Sequence, residues 1–422
     1  MFDSARAGTP GERMRTLDPG VRRRLGVFDP ATGEQIGHIP GGGAPEAHDA
    51  VRAARAAQPA WAATDPGARG ALLKAATRRL REYARELAEL QARETGLPQA
   101  ASLGGVQAGI AAAEAYAELG PLERGRTRRG DLVLREPRGT VAILMPWSDP
   151  LRATFGPLAA ALVAGNAVVL QPSHRAPLAA ERVAELLDLG AILQVLHGDE
   201  HAARPLAAHH GVDLVMRPGE EAAGSHLAII DAGVDPELAA EQVAASAFDG
   251  AGQSCGSLER VHAHRSVAEP FLDALVRCAR APQAGGPLID DDHRAWVHRL
   301  VQDAVHGGAA LLAGGLALPG RGFFYPPTVL VNAPDDALVN CGEIRGPVVT
   351  VQVTDSFDEA LRTPVRIGLA SVLTPSHHHA RRAWRCLPAR TVSVNAIFAG
   401  PAPGADPELL DAVTRTKVVH LA

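Results

Sequence analysis

Apolar residues recur at three- and four-residue intervals along the first part of the chain, as amphipathic helices require. This spacing predicts helices over residues 46–61, 68–95 and 105–119. After residue 139 the pattern changes to short apolar runs that alternate with helical stretches. These runs predict strands at 140–145, 167–170, 193–196 and 212–216, separated by helices at 151–164, 179–189 and 200–209. Strands that alternate with helices predict a parallel, doubly wound α/β sheet.

A second alternation of strands and helices follows residue 255. It predicts strands at 260–264, 310–312, 348–353 and 391–394 and helices at 267–280, 293–307 and 357–361. Two α/β units joined near residue 235 are the simplest partition of the chain. Residues 132–139 predict one arm of an exposed hairpin, because Pro137 cannot donate to a sheet interior. Residues 412–421 alternate as a strand does.

The composition indicates a globular protein with a large core. The chain has 422 residues, 46% of them hydrophobic, and a net charge of −5 from 42 basic and 47 acidic residues. This balance excludes a broadly basic nucleic-acid surface. No apolar run approaches the ~20 residues that span a bilayer, and residues 1–19 lack the apolar segment of a secretory signal. We therefore expect a cytoplasmic protein with a disordered leader and neither a membrane nor a nucleic-acid partner.

Cys255 is the candidate nucleophile, because it follows the small, flexible stretch Gly252-Gln253-Ser254. These residues alone fit a second explanation equally well, in which Cys255 is a small, buried hydrophobic residue with a structural role. Cys278, Cys341 and Cys386 lie in settings that favour structural roles. The cysteines have no CxxC spacing, so neither a zinc site nor a disulfide framework is predicted. The run of histidines at 377–379 is better explained by a solvated turn than by a metal site.

Nine motifs, in order, resemble those of the aldehyde dehydrogenase superfamily, and the resemblance covers residues 25–422. The motifs are FDPATGE (28–34), REPRG (135–139), PWSDP (146–150), PLAAALVAGN (157–166), QPS (171–173), GQSC (252–255), GPLI (286–289), EIRGPV (343–348) and VSVN (392–395). The resemblance implies two doubly wound α/β domains plus a small β oligomerisation element. It also implies NAD-dependent oxidation of an aldehyde to a carboxylic acid.

By this resemblance, Cys255 attacks the aldehyde to form a thiohemiacetal and then a thioester. Glu221 takes the place of the general base that activates the hydrolytic water. A second alignment remains open, in which residues 219–225 imitate the family's glycine-rich cofactor turn instead. Ser148 replaces the family's oxyanion-hole asparagine, and losing one such donor typically costs ~2.7 to 4 kcal/mol of transition-state stabilisation.

The resemblance also assigns cofactor contacts. Pro146, Trp147 and Ser173 keep the family's residues, and Glu343 takes the place of its ribose-binding carboxylate. Gln171 replaces a lysine, which weakens NADP binding more than NAD binding. Arg345 replaces a phenylalanine, and it could instead hold Glu343 in a structural ion pair.

A deletion follows residue 216. The family has a turn, a helix and a strand there, and this chain keeps only residues 217–220, so the helix N-terminus that receives the pyrophosphate is missing. We therefore expect NAD to bind weakly or not at all.

We expect the chain to divide into four parts. They are a disordered leader (1–24), a cofactor-binding-like Rossmann domain (25–120 and 138–234, truncated near 217–220), a catalytic domain (235–398) with the cysteine, and an oligomerisation hairpin with a tail strand (121–137 and 399–422). The alternative function is a catalytically impaired subunit that serves assembly with an intact paralogue. We expect either a homo-oligomer or a hetero-oligomer with a full-length relative. Hydrolysis of esters without a cofactor is a third possibility.

Overall fold

The computed structural model describes residues 23–119, 126–128, 131–219, 224–281, 285–362, 366–398 and 405–420. The strands in these residues are Arg24–Phe28 (β1), Gln35–Pro40 (β2), Arg126–Arg128 (β3), Asp131–Pro137 (β4), Thr140–Leu144 (β5), Ala167–Gln171 (β6), Leu193–Val195 (β7), Leu214–Met216 (β8), Ser225–Ile230 (β9), Leu258–His264 (β10), Gly286–Pro287 (β11), Ala310–Ala313 (β12), Phe324–Tyr325 (β13), Thr328–Val331 (β14), Val348–Thr354 (β15), Ile367–Leu373 (β16), Thr391–Val394 (β17) and Thr414–His420 (β18). The predicted leader lies almost wholly outside the described residues.

The helices confirm most of the predicted pattern. They are Ala44–Ala63 (α1), Pro66–Glu82 (α2), Ala84–Thr95 (α3), Gln99–Leu119 (α4), Pro150–Val163 (α5), Leu178–Leu187 (α6), Glu200–Ala207 (α7), Pro236–Phe248 (α8), Arg265–Ala279 (α9), Asp291–His306 (α10), Leu338–Cys341 (α11), Phe357–Ala360 (α12), His377–Cys386 (α13) and Pro407–Val413 (α14). One prediction was wrong: residues 68–95 form two helices. Tyr83 leaves helical geometry at φ −99° and ψ 12°, so α2 ends before it and α3 begins after it.

The first sheet has four parallel strands in the order β7-β6-β5-β8. Its strands are apolar on both faces, as expected for a parallel sheet covered by helices on each side. Val141 and Ile143 join the core under α2 to α6, whereas Ala142 joins a smaller core under α1 and α7. The doubly wound arrangement predicted from the alternation is confirmed.

The second sheet has seven strands in the order β12-β14-β15-β10-β9-β16-β17. All neighbouring strands are parallel except β12 and β14. Strand β9 pairs with β10 and β16, so the division at residue 235 assigned it to the wrong unit. The reason is the short connection after β8, which carries the chain directly from one sheet into the next. The other domain boundaries stay predictions.

A third sheet of three antiparallel strands has the order β18-β4-β3. It contains the predicted hairpin arm and the predicted tail strand. Asn166, just before β6, bonds the chain next to this sheet: its Nδ2 donates at 3.0 Å to the carbonyl of Val413, the residue before β18. Across the described ranges, no helix has the length and apolarity needed to cross a membrane.

Candidate functional site

Cys255 lies in a strained turn between α8 and β10. Gly250, Ala251 and Gly252 all have positive φ angles, of 56°, 57° and 64°. A non-glycine residue in this region is uncommon, and strained turns of this kind cluster at functional sites. No side chain fits at Gly252, because a Cβ there would collide with the backbone of Gly346.

Gln253 anchors this turn to the segment 286–289. Its Nε2 donates to the carbonyl of Pro287 at 3.2 Å, and its Oε1 accepts from the Ile289 N–H at 2.8 Å. The GQSC and GPLI motifs of the sequence are therefore joined by two hydrogen bonds. The side chain of Gln253 is buried, so these bonds are shielded from water.

Two loops of the first sheet converge on the thiol. Ser148 follows β5, and its Oγ lies 4.0 Å from Cys255 Sγ. Gly219 follows β8, and a Cβ built on it would lie 2.6 Å from the same sulfur. Strands β5 and β8 are neighbours at the point where the strand order reverses, and ligands of doubly wound sheets bind outside the carboxyl ends of the strands there. The thiol thus lies at the edge where this fold places its ligands.

Burial raises the pKa of the Cys255 thiol, and this is the largest effect on it. The positive charge of Arg345 and the hydroxyl of Ser148 lower that pKa, whereas the carboxylate of Glu343 raises it. The thiolate is the nucleophilic form of cysteine. Nucleophilic chemistry at Cys255 therefore needs a base that removes the thiol proton, and Arg345 and Ser148 favour that removal.

Glu343 and Arg345 form an ion pair beside the thiol. Glu343 Oε2 accepts from Arg345 Nε at 2.8 Å, and its Oε1 accepts from the Gly224 N–H at 3.0 Å. The ion pair considered in the sequence is present. Arg345 has a left-handed backbone, with φ 51°.

Glu259, which the sequence analysis did not single out, holds this loop from below. It is the extra residue of a bulge in β10, opposite His226 and Leu227 of β9. Its Oε1 accepts the N–H groups of Ile344 and Arg345 at 2.5 and 3.1 Å. Burial raises its pKa. The sequence signal that could have found Glu259 is a charged residue at the start of the otherwise apolar strand β10.

The remaining predicted contacts follow strands of the same edge. Gln171 ends β6, and its Nε2 donates to the carbonyl of Gly198 at 2.8 Å. Ser173 accepts from the Arg175 N–H at 3.3 Å. Pro146 and Trp147 follow β5, and the indole meets the ring of His293 edge to face at 5.1 Å. The structure therefore gathers these residues at one edge, and their roles stay predictions.

Glu221 lies outside the described residues, two positions after Gly219. Residues 217–224 connect β8 to β9, and their described part, 217–219 and 224, contains no helix. The assignment of Glu221 as a base therefore stays a prediction, and so does the alternative alignment of residues 219–225.

A cavity of about 220 Å³ opens beside the cysteine turn. It is lined by Ser148, Asp149, Arg152, Asp249 and Ser254, together with parts of α4. Burial raises the pKa of Asp149 to about 6, and Arg152 opposes this rise. The cavity offers a small molecule space beside Ser148 and Ser254, the residue before Cys255.

A dinucleotide would meet residues that fit it only in part. Glu343, Gln171 and Ser173 offer groups for ribose hydroxyls. The helix N-termini at this edge could receive a pyrophosphate, but each already has a side-chain partner. Gln91 Oε1 accepts the Leu151 N–H of α5, Glu94 accepts two N–H groups of α6, and Asp199 accepts the His201 N–H of α7.

The histidines at 377–379 begin helix α13, so the predicted turn is the first turn of a helix. His379 Nδ1 lies 2.6 Å from a carboxylate oxygen of Asp231. The described part of the chain has no group of three or more residues that could hold a metal ion.

Comparisons with known proteins agree with this geometry. The profile of the "Aldehyde dehydrogenase family" matches residues 18–230 and 220–406. Peroxisomal aminoaldehyde dehydrogenase 2 of Malus domestica is 28% identical over 90% of this chain and 86% of its own length.

Two crystal structures are similar throughout. Lactaldehyde dehydrogenase from Escherichia coli has a TM-score of 0.90 and 25% identity, over 95% of this chain and 96% of its own. PnpE in complex with nicotinamide adenine dinucleotide has a TM-score of 0.86 and 27% identity, over 94% of both chains. The two sheets, the turn that carries Cys255 and the match of the profile over most of the sequence lead to one conclusion: this chain belongs to the aldehyde dehydrogenase family.

Proposed function

We propose that this protein oxidises an aldehyde to a carboxylic acid with NAD, using Cys255 as the nucleophile. The observation that carries the proposal is the position of the Cys255 thiol, 4.0 Å from the Ser148 hydroxyl. The loops that follow β5 and β8 of the first sheet both reach this thiol. PnpE, whose structure was solved with nicotinamide adenine dinucleotide, supports the choice of cofactor.

The first step is attack of the Cys255 sulfur on the aldehyde carbon. The thiol proton passes to a base, for which Glu221 is the candidate, and the new C–S bond leaves negative charge on the former carbonyl oxygen. Ser148 donates a hydrogen bond to that oxygen, in the way of an oxyanion hole. Arg345 favours the thiolate by its charge.

The second step needs a hydride acceptor, and NAD, when bound, would supply that chemistry. Loss of hydride from the thiohemiacetal carbon would leave a thioester on Cys255. Glu343, Gln171 and Ser173 would hold the cofactor, and Glu343 would have to exchange its bond with Arg345 to do so. Glu221 must then lose the first proton to solvent before it can act as a base again. As a carboxylate it deprotonates the water that hydrolyses the thioester, and the proton passes to the departing sulfur, which releases the acid and restores the thiol.

The second candidate function is a catalytically impaired subunit that pairs with an intact relative. The side-chain partners at the helix starts and the ion pair of Glu343 favour it. We infer that its contact would form at the exposed edge strand β18, which pairs only with β4 in the described residues.

The test is NADH absorbance with a panel of aldehydes, together with the thermal shift caused by NAD. Turnover that disappears in Cys255→Ala establishes the dehydrogenase. No turnover and no thermal shift, together with a mixed oligomer on co-expression with a full-length relative, would favour the impaired subunit instead.

A further inference from the structure

His226 is a buried histidine next to the cysteine turn. It lies in β9, between β10 and β16, and only 1% of its surface is exposed. Its Nδ1 lies 2.9 Å from the carbonyl oxygen of Gly256, the residue after Cys255. Because a carbonyl only accepts, Nδ1 carries the hydrogen.

The other ring nitrogen completes a chain of hydrogen bonds. His226 Nε2 lies 2.9 Å from Ser371 Oγ, and Ser371 Oγ accepts from the Phe398 N–H at 3.0 Å. A neutral ring with its hydrogen on Nδ1 accepts from the Ser371 hydroxyl at Nε2, so every group is satisfied. Burial lowers the pKa of His226 to about 4, which keeps the ring neutral near pH 7.

We propose that His226 is a positioning residue that holds the Gly256–Ser257 peptide, one residue after Cys255, in place through its Nδ1. On the other side of Cys255, the side chain of Gln253 is bonded to Pro287 and Ile289, so the backbone is held both before and after the nucleophile. The inference rests on the proposed role of Cys255 as nucleophile. It assigns to His226 no contact with substrate or cofactor.

Positioning has a chemical consequence for the thiol. Ser148 and Arg345 lower the pKa of Cys255 only while the sulfur stays near them. When the peptide is released, these contacts weaken, and a thiol with a higher pKa reacts more slowly at neutral pH.

Two isosteric substitutions separate the two ring nitrogens. The amide nitrogen of His226→Asn can donate where Nδ1 does, and that of His226→Gln reaches only towards Ser371. His226→Leu removes both bonds. His262 supplies a matched control, because its Nδ1 also bonds a backbone carbonyl, that of Ala360 at 2.7 Å, away from Cys255.

The experiment is the rate of Cys255 alkylation by iodoacetamide as a function of pH, followed by mass spectrometry of the peptide that contains Cys255. In His226→Leu and His226→Gln we expect the pH midpoint to rise by about half a unit, a loss of about threefold at neutral pH. His226→Asn should restore most of the wild-type rate, and His262→Leu should leave the profile unchanged. Thermal unfolding of each variant establishes that it folds.

An unchanged profile in folded His226→Leu, or equal shifts in His226→Leu and His262→Leu, would overturn the proposal. If the variants fail to fold, Ser371→Ala, which weakens the hold on Nε2, must produce a smaller shift of the same sign in the folded protein, and no shift overturns the proposal. Alkylation requires no turnover, so a failure of the dehydrogenase assay leaves this result readable.

Discussion

The backbone of Gly219 lies directly against the sulfur of Cys255. A Cβ at Gly219 would come within 2.6 Å of Sγ, and the φ angle of 88° is one that only glycine adopts readily. The shortened connection after β8 therefore reaches the nucleophile itself. The sequence comparison placed the deletion after residue 216 in the cofactor site, and the segment that remains there also contacts the thiol through Gly219.

Gly219→Ala should slow the alkylation of Cys255, because the added methyl group displaces the sulfur or the loop. The substitution also strains the backbone, at a cost of about 1 kcal/mol. Gly308→Ala separates the two effects, since Gly308 has a φ of 106° and open space around its missing side chain. We expect both variants to lose thermal stability and only Gly219→Ala to change the alkylation rate. Equal alkylation rates in the two variants would argue against the contact.

Ser148→Ala should lower kcat, because it removes the side-chain donor nearest the thiol. We expect a loss of roughly tenfold to a hundredfold, below the cost of ~2.7 to 4 kcal/mol for a well-aligned donor, since a hydroxyl reaches less far than an amide. Ser148→Asn should raise kcat above that of the wild type. Ser266→Ala, at an exposed position of α9 outside the site, is the control and should leave kcat unchanged. A Ser148→Ala variant with unchanged kcat contradicts the oxyanion role.

Arg345 and Glu343 should move the pKa of Cys255 in opposite directions. The charge of Arg345 lowers that pKa and the carboxylate of Glu343 raises it. Arg345→Gln should therefore shift the pH profile of alkylation to higher pH, and Glu343→Gln should shift it to lower pH. Two shifts of the same sign would show that the ion pair acts on the thiol through its structure and not through its charges.

Glu94 should make the protein less stable as the pH rises. Burial raises its pKa from 4.5 to about 8, so the folded protein keeps a proton that the unfolded chain has lost between those values. The stability that comes from keeping Glu94 protonated is therefore fully present below about pH 4.5 and is lost as the pH rises through about 8. The free energy of unfolding falls by a few kcal/mol in total over this range. Glu94→Gln cannot ionise, so its thermal midpoint should fall less between pH 5 and about pH 8. Glu89→Gln, at an exposed position of the same helix, should follow the wild type, and parallel curves for all three proteins would refute the assignment.

The sequence predicted the two α/β units because their strands are short, apolar and separated by amphipathic helices. It missed the break at Tyr83, since the apolar spacing continues through it from α2 to α3. It also placed β9 in the wrong unit, because a strand carries no local mark of the sheet it will join.

The sequence identified only some of the residues at the candidate site. Cys255, Ser148 and Glu343 came together because each belongs to a motif that the resemblance could align. Gly219 and His226 were not predicted, because a backbone contact and a bond to a carbonyl depend on tertiary structure. The bonds of Glu94 to the start of α6 were not predicted for the same reason, since only the fold brings α3 and α6 together.

The central claim is that Cys255 carries out NAD-dependent oxidation of an aldehyde. The most direct measurement is NADH formation with an aldehyde panel, combined with intact-mass detection of an acyl adduct on the protein after rapid quenching. The account predicts NADH formation and an adduct on Cys255, both absent in Cys255→Ala and both retained in Cys278→Ser. NADH formation that persists in Cys255→Ala, or none with any aldehyde at saturating NAD in the wild type, would contradict it.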